Sequence, residues 1–181
     1  RSSMELTLFT HTAMNSTYGE SFIVYNPDFQ TLKIHSSYTR QKDGTIVKTP
    51  DNAFVEVLPR FAADAPAYNQ LKEMVVVHTG LELGATIYLD YSIITKPGYY
   101  PALDINERLQ ETSPVKECKV SISVPEGTPL ACGLYGSPVK AVEESHDGIK
   151  EVHWTLRNIP ASSREAFQPK NREASPHLVA S

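Results

Sequence analysis

Hydrophobic and polar residues alternate along much of the chain with a period of two. The longest alternating run extends from Ala85 to Ile93, and shorter runs cover residues 120–124 and 152–156. A strand directs successive side chains to opposite faces of its sheet, so this period predicts strands that each bury one face. Trp154 lies on the apolar face of the last run, and we therefore expect it in a hydrophobic core.

Turn sequences separate these predicted strands. Asp43-Gly44 and Asp147-Gly148 suit two-residue hairpin turns, because positive φ angles favour Asp or Asn followed by Gly. Pro125-Glu126-Gly127-Thr128 follows the strand that ends at Val124, which predicts a third hairpin. Many short strands with turns at this spacing predict a mainly β fold, an antiparallel β-sandwich with at most short helical turns.

Three segments lack the alternating pattern. Residues 64–73 predict a turn or two of helix before a strand, because Pro66 suits a first helical turn. Residues 104–107 fit either a short capped helix or a strand. Residues 161–181 are polar and aperiodic, so we place one β-sandwich domain at 1–160 and an extended C-terminal arm or linker at 161–181.

Composition and charge argue against two classes of partner. The chain of 181 residues has a net charge of −4, and its Lys and Arg residues are scattered. Nucleic-acid binding needs clustered cations, so we expect no nucleic acid as a partner. No apolar run approaches the ~20 residues of a membrane-spanning helix, so we expect no membrane span.

The two cysteines have no catalytic context. A catalytic site of the cysteine-nucleophile type needs a Cys, usually at a helix N-terminus, with a His base. Cys118 enters a predicted strand, and no helical pattern follows Cys132. They are interpreted as two buried thiols, with a disulfide as the alternative. If Glu126-Gly127 centres a hairpin, Cys118 faces a position near Tyr135 instead of Cys132.

Neither a metal site nor an acid–base pair is indicated. None of the six histidines is spaced as His-x-His or His-x-x-x-His, the spacings that bring two rings to one face. Acidic pairs such as Glu143-Glu144 are interpreted as solvated surface instead of a glycosidase pair. We therefore predict no catalytic residue, no metal and no cofactor, and no enzymatic activity of this domain.

One adjacent pair of tyrosines is a candidate ligand-binding site. Tyr99 and Tyr100 follow the Pro97-Gly98 turn, and exposed aromatic rings there would stack on a sugar ring or a partner protein. The alternative is that one ring packs under the sandwich edge while the other is partly exposed.

The order of these patterns resembles a domain of unknown function that lies N-terminal to transglutaminase-like domains in bacterial envelope proteins, many from Bacteroidetes. The resemblance covers most of the chain, from about Tyr18 to Ser181. It is carried by the order of Asp43-Gly44-Thr45, Leu81-Glu82-Leu83-Gly84-Ala85-Thr86-Ile87, Ser113-Pro114-Val115, Val120-Ser121-Ile122-Ser123-Val124-Pro125, and Trp154-Thr155-Leu156 with Asn158-Ile159-Pro160.

The resemblance implies a β-sandwich in a longer secreted or periplasmic chain, followed by a transglutaminase-like, cysteine protease-like domain. It implies no activity for the domain itself. We therefore expect a non-catalytic accessory or interaction domain, located in the periplasm or cell envelope, whose partner is the downstream domain of the same chain. The alternative is a glycan- or peptide-binding module whose partner is an envelope glycan or protein.

Overall fold

The structure, a computed structural model, describes residues 1–162 and 175–181. It is mainly β, its strand pairs are antiparallel, and its helical segments are single turns, which confirms the predicted fold class. The chain divides into two compact units, Arg1–Tyr99 and Tyr100–Ser181. The prediction of one domain over residues 1–160 stays a prediction, and each unit is described by itself.

The first unit contains a four-stranded and a three-stranded sheet. The strands are β1 (Ser2–Thr7), β2 (Glu20–Tyr25), β3 (Gln30–Arg40), β4 (Ile46–Lys48), β5 (Phe54–Val57), β6 (Lys72–Val77) and β7 (Thr86–Thr95). The four-stranded sheet has the order β1-β7-β3-β4 and the three-stranded sheet the order β2-β6-β5. Short helical turns at 13–17, 51–53, 60–62 and 66–68 lie between the strands.

The two sheets of this unit share one core. Ile23 of β2 and Val76 of β6 form a buried cluster with Leu89 of β7, so side chains of both sheets meet there. The alternation that begins at Ala85 predicts this arrangement, and Ile87 and Leu89 are buried as it requires. The first unit is therefore an antiparallel sandwich.

A β-bulge in β3 changes which of its side chains face the core. The register with β7 shifts between Ile34 and Ser36. Ile34 lies opposite Tyr91 and Ser37 lies opposite Leu89, so three steps along β3 match two along β7. An extra residue reverses the alternation, and it brings Ser37 to the core-facing side that Ile34 occupies before the bulge.

Asp90 is a buried carboxylate on the outer side of β7. Its side chain is 5% exposed and lies 2.6 Å from the Arg1 guanidinium. A second contact of 3.0 Å from Nε of Arg1 makes the pair bidentate, and this hydrogen bonding holds the pKa of Asp90 below its usual range. The ion pair satisfies a charge that would otherwise be costly to bury.

His78 is buried at the end of β6. Its ring Nε2 lies 2.8 Å from the hydroxyl of Ser21, and its backbone N–H donates to the carbonyl of Gly19 at 2.9 Å. Only 5% of the residue is exposed. Burial disfavours the protonated ring and lowers the pKa of His78 below its ordinary value of 6.5.

The described residues of the second unit form six strands. They are β8 (Ile105–Arg108), β9 (Val115–Pro125), β10 (Cys132–Tyr135), β11 (Val142–His146), β12 (Ile149–Ile159) and β13 (His177–Ala180). These strands form two three-stranded sheets with the orders β10-β13-β8 and β11-β12-β9, in which all neighbours are antiparallel.

Trp154 lies in the core of the second unit, as predicted. It is 2% exposed and clusters with Val152 and Leu156 of the same strand and with Leu178 of β13. Because β12 and β13 belong to different sheets, this cluster joins the two sheets as a second sandwich.

Two of the three predicted hairpins are confirmed, and the third is wrong. Asp147-Gly148 joins β11 to β12 with positive φ at both residues, 52° and 75°. Asp43-Gly44 joins β3 to β4 as a hairpin, but its loop has three residues, 42–44, instead of the predicted two. The Gln41 N–H donates to the Thr45 carbonyl, and only Gly44 has a positive φ, 90°. The turn at 125–128 forms, but β9 pairs with β12 and β10 pairs with β13. Consequently Cys118 lies opposite Leu156, not near Tyr135.

The physical reason is the length of the available partners. β9 and β12 each contain 11 residues, whereas β10 contains four. A long ladder satisfies more backbone hydrogen bonds than a short hairpin and pairs more apolar side chains across strands.

The structure describes the first two of the three aperiodic segments in full and the third in part. Residues 66–68 form a 3₁₀ turn before β6, as predicted, and residues 105–108 form a strand, which decides against the helix. Of the predicted arm or linker at 161–181, residues 163–174 lie outside the described residues. Its end, His177–Ala180, is the central strand of a sheet instead of a linker, because its apolar side chains enter the core. None of the helices in the described ranges has the length and apolarity to cross a membrane.

Replacing Trp154 with Ala is expected to lower the free energy of unfolding by about 3–5 kcal/mol, because a large side chain leaves a cavity in the core. Chemical denaturation measures the difference. Val142→Ala, at a position that is 47% exposed, is the control and should change the value by less than about 0.5 kcal/mol. A small effect of the tryptophan substitution would mean that its side chain does not support the core.

The stability of the protein is expected to decline as the pH falls below 6.5 because of His78. The pKa of His78 is lower in the folded chain than in the unfolded chain, so between these two values the unfolded chain binds more protons. The stabilising contribution is therefore complete above pH 6.5 and is lost as the pH falls toward the folded pKa. Denaturation at several pH values should show a shallower decline for His78→Gln. His11→Gln, at an exposed position, is expected to keep the wild-type slope. An equal slope in all three proteins would contradict the assignment.

Candidate functional site

The two candidate tyrosines have different environments. The ring of Tyr99 stacks on Phe29, with 4.5 Å between centroids and 15° between planes, so one face of this ring is covered. Tyr100 is 60% exposed. The boundary between the two compact units falls between these residues. Their role as ligand-binding residues stays a prediction.

The pKa values of the two cysteine thiols are shifted in the direction opposite to that of an activated nucleophile. Both are free thiols in the structure. Burial raises the pKa of the Cys118 thiol, and burial together with nearby Glu143 raises that of Cys132. A thiolate nucleophile needs a lowered pKa, so both thiols are held in the less reactive protonated form.

Metal-ligating groups do not cluster in the part of the chain that the structure describes. There, no three side chains of His, Cys, Asp or Glu come together in a way that could hold an ion. One exposed apolar surface among the described residues lies on the three-stranded sheet of the first unit.

The three-stranded sheet β2-β6-β5 carries apolar side chains on both faces. Ile23 and Val76 point to the core, so their neighbours along the strands point outward. The registers place the outward residues in two rows across the sheet. We call this surface the valine face: its first row is Phe22, Val75 and Val55, and its second row is Val24, Glu73 and Val57.

Most of the valine face is open to solvent. Phe22 is 58% exposed, Val55 44%, Val57 39% and Val24 37%. An antiparallel sheet with one solvated face normally alternates apolar residues inward and polar residues outward. A contiguous group of exposed apolar side chains marks an interaction surface more often than a plain solvated one.

Sequence reasoning did not identify the valine face, although a signal was present. Met74-Val75-Val76-Val77 of β6 is a continuous apolar run, and so is Phe22-Ile23-Val24-Tyr25 of the neighbouring β2. A continuous run is typical of a strand that is covered on both faces. In the first unit only the Val76 side of β6 is packed in the core cluster.

A polar cluster fixes the end of the same sheet. The Glu56 carboxylate on β5 accepts a hydrogen bond from the Tyr25 hydroxyl on β2 and binds the Lys72 ammonium on β6, with 2.5 Å between Nζ and Oε2. One carboxylate therefore links all three strands. The Lys72 and Tyr25 hydrogen bonds lower the pKa of Glu56, and burial with the Glu56 hydrogen bond raises the pKa of Tyr25 to about 12.

One of the nine tyrosines is expected to ionise late in an alkaline titration. Because the pKa of Tyr25 is raised from 10.0 to about 12, the cluster contributes stability that is present below pH 10 and lost as the pH rises toward the higher value. Near-ultraviolet absorbance of tyrosinate follows the titration. The late component should disappear in Tyr25→Phe and persist in Tyr68→Phe, where the ring is 51% exposed. A late component that survives Tyr25→Phe would contradict the assignment.

Comparison with known proteins identifies a family. Residues 1–163 match the model of DUF3857, a domain of unknown function with a solved structure, which confirms the resemblance to a domain of unknown function. No curated protein matches the sequence. The bacterial source and the transglutaminase-like neighbour stay predictions. Since the match covers far more than half of the chain, this protein belongs to the DUF3857 family.

Proposed function

We propose that this chain is a non-catalytic interaction domain that packs its valine face against a neighbouring domain of a longer, transglutaminase-like envelope protein. The observation that supports the proposal most directly is the exposed apolar surface of the β2-β6-β5 sheet. The neighbour itself is taken from the family resemblance and belongs to the proposal.

Covering the exposed apolar side chains of the valine face would stabilise a contact with a neighbouring domain. Phe22, Val24, Val55 and Val57 each keep more than a third of their surface exposed. Burying apolar area is worth roughly 25 cal/mol per Å² removed from water, so covering four such side chains is a substantial stabilising contribution. Contacts between domains of one chain are commonly of this moderate, partly polar type.

Glu73 gives the valine face a polar centre. It lies on the middle strand, between Val24 of β2 and Val57 of β5, and is half-buried. A partner surface that covers this carboxylate must provide a cation or a hydrogen-bond donor, because an unpaired buried charge is costly. The expected partner surface is therefore apolar with one Lys, Arg or amide donor near its middle.

The contacts that join the three strands support docking through a preformed surface. The Glu56 cluster ties its three strands together, and the core cluster holds the opposite face. A surface that is already ordered loses little conformational entropy on binding, which favours affinity.

The test uses the full-length gene product and Val55→Glu. A carboxylate on the first row should separate the two domains and raise the radius of gyration measured by small-angle X-ray scattering. In the present chain alone the substitution lies at a solvated position and should change stability by no more than about 0.5 kcal/mol. Thr31→Glu, at an exposed position of β3, introduces the same charge elsewhere and should leave the radius unchanged.

Two results would contradict the proposal. One is a full-length protein whose domains tumble independently before any substitution. The other is equal radii for the wild type, Val55→Glu and Thr31→Glu. Turnover of a peptide or glycoside substrate by the present chain alone would overturn the non-catalytic assignment.

A further inference from the structure

Half of strand β3 has an open hydrogen-bonding edge. β7 pairs with β3 along almost its whole length, from Gln30 to Arg40. On the other side, β4 pairs only with residues 38–40. No strand among the described residues covers the remaining part of that side, which includes Leu32 and Ile34. We call this segment the open edge.

Two hydrogen bonds at the ends of the open edge show the direction in which its backbone groups point. The carbonyl of Phe29 accepts from Lys96, next to β7, and the carbonyl of Ser37 accepts from Thr49, next to β4. In an antiparallel strand the N–H and C=O of one residue point to the same side, and successive residues alternate. Counting from Phe29 to the bulge, Leu32 and Ile34 direct both groups away from β7.

A groove lies beside the open edge. Its volume is about 740 Å³, and it is lined by residues of both sheets of the first unit. Its apolar lining consists of Ile34 and Ile46 from the four-stranded sheet and Phe54 and Met74 from the three-stranded sheet. Unpaired backbone groups beside apolar side-chain pockets are the arrangement by which sheet edges bind extended peptides.

The lining of the groove contains one formal charge, the ammonium of Lys48, and no carboxylate. Strands β3 and β4 contain Lys33 and Arg40 as well, and neither strand contains Asp or Glu, although the whole chain has a net charge of −4. Lys48 is exposed and forms no ion pair with any described residue.

We propose that this groove binds an extended, acidic peptide segment, which adds as a strand to the open edge of β3 and places a carboxylate near Lys48. Main-chain hydrogen bonds to Leu32 and Ile34 supply the part of the affinity that does not depend on the peptide sequence. Apolar side chains at alternate positions of the peptide enter the groove, because a strand points every second side chain to one side. The proposal concerns a different surface from the valine face and does not depend on it.

The charge pattern favours such a peptide over a second copy of this chain. Pairing two open edges would bring the cations of β3 from both copies together, with no carboxylate on either strand to offset them. Like charges placed opposite each other across two strands are destabilising. An acidic peptide segment instead places its carboxylates next to the cations of β3 and β4, which is an attractive interaction.

The experiment selects binders from a display library of random peptides, about seven residues long to match the length of a typical strand. Selection on the wild-type chain should enrich peptides with alternating apolar residues and at least one Asp or Glu. Their affinity should fall about tenfold in Lys48→Glu, since a charge-assisted hydrogen bond is worth about 1.4 kcal/mol or more. Lys119→Glu, an exposed position on β9, makes the same charge change and should leave the affinity unaltered.

A second readout does not depend on any protein variant. N-methylation of the backbone amides of a selected peptide removes the donors that strand addition requires, so it should also weaken binding about tenfold. Hydrogen exchange should show that the peptide protects the amides of Leu32 and Ile34.

The proposal is overturned by any of three results. The first is a selection that enriches peptides without acidic residues. The second is a peptide affinity that changes neither in Lys48→Glu nor on backbone methylation. The third is a selection that yields no binding peptide. Concentration-dependent protection of Leu32 and Ile34 without peptide, together with dimers in analytical ultracentrifugation, would show that the occupant of the edge is a second copy instead.

Discussion

A three-stranded sheet with apolar side chains on both faces buries only one of them in the core of its own unit. In β2-β6-β5 that face carries Ile23 and Val76, which meet Leu89 of the larger sheet. The choice of face depends on the register, since a slip of one residue in a strand would exchange its inward and outward side chains. The other face is left with phenylalanine and valine in contact with solvent, and the proposed function begins from that constraint.

Much of the fold could be predicted from the sequence because its strands alternate. Trp154 was placed correctly in a core, and the turn at Asp147-Gly148 was placed correctly between two strands, since both rest on local chemistry. The choice of partner strand could not be predicted in the same way. β9 and β10 are joined by a good turn sequence, yet each pairs with a distant strand, because ladder length and core packing outweigh the local signal. The strand at His177–Ala180 has only four residues, too few for a periodic pattern to identify.

The candidate surfaces were harder to predict than the fold. The tyrosine pair was selected for its position after a turn, but that position does not tell whether another ring, here Phe29, covers one of the two. The valine face needed the registers of three strands, and in the sequence it was indicated by the continuous apolar runs Phe22–Tyr25 and Met74–Val77. The open edge depends on where β4 ends and on a bulge near Ile34, and a single inserted residue leaves no periodic signal of its own.

The central position of β13 sets an order for the folding of the second unit during synthesis. β13 lies between β10 and β8, and its residues Leu178 and Ala180 belong to the core around Trp154. The ribosome synthesises β13 after both of its neighbours, β8 and β10. Until it emerges, β8 and β10 lack their common partner and present unpaired edges to other chains. The second sandwich therefore closes from its C-terminal end, and a nascent chain halted before His177 is exposed to misassembly even though most of its strands are already made.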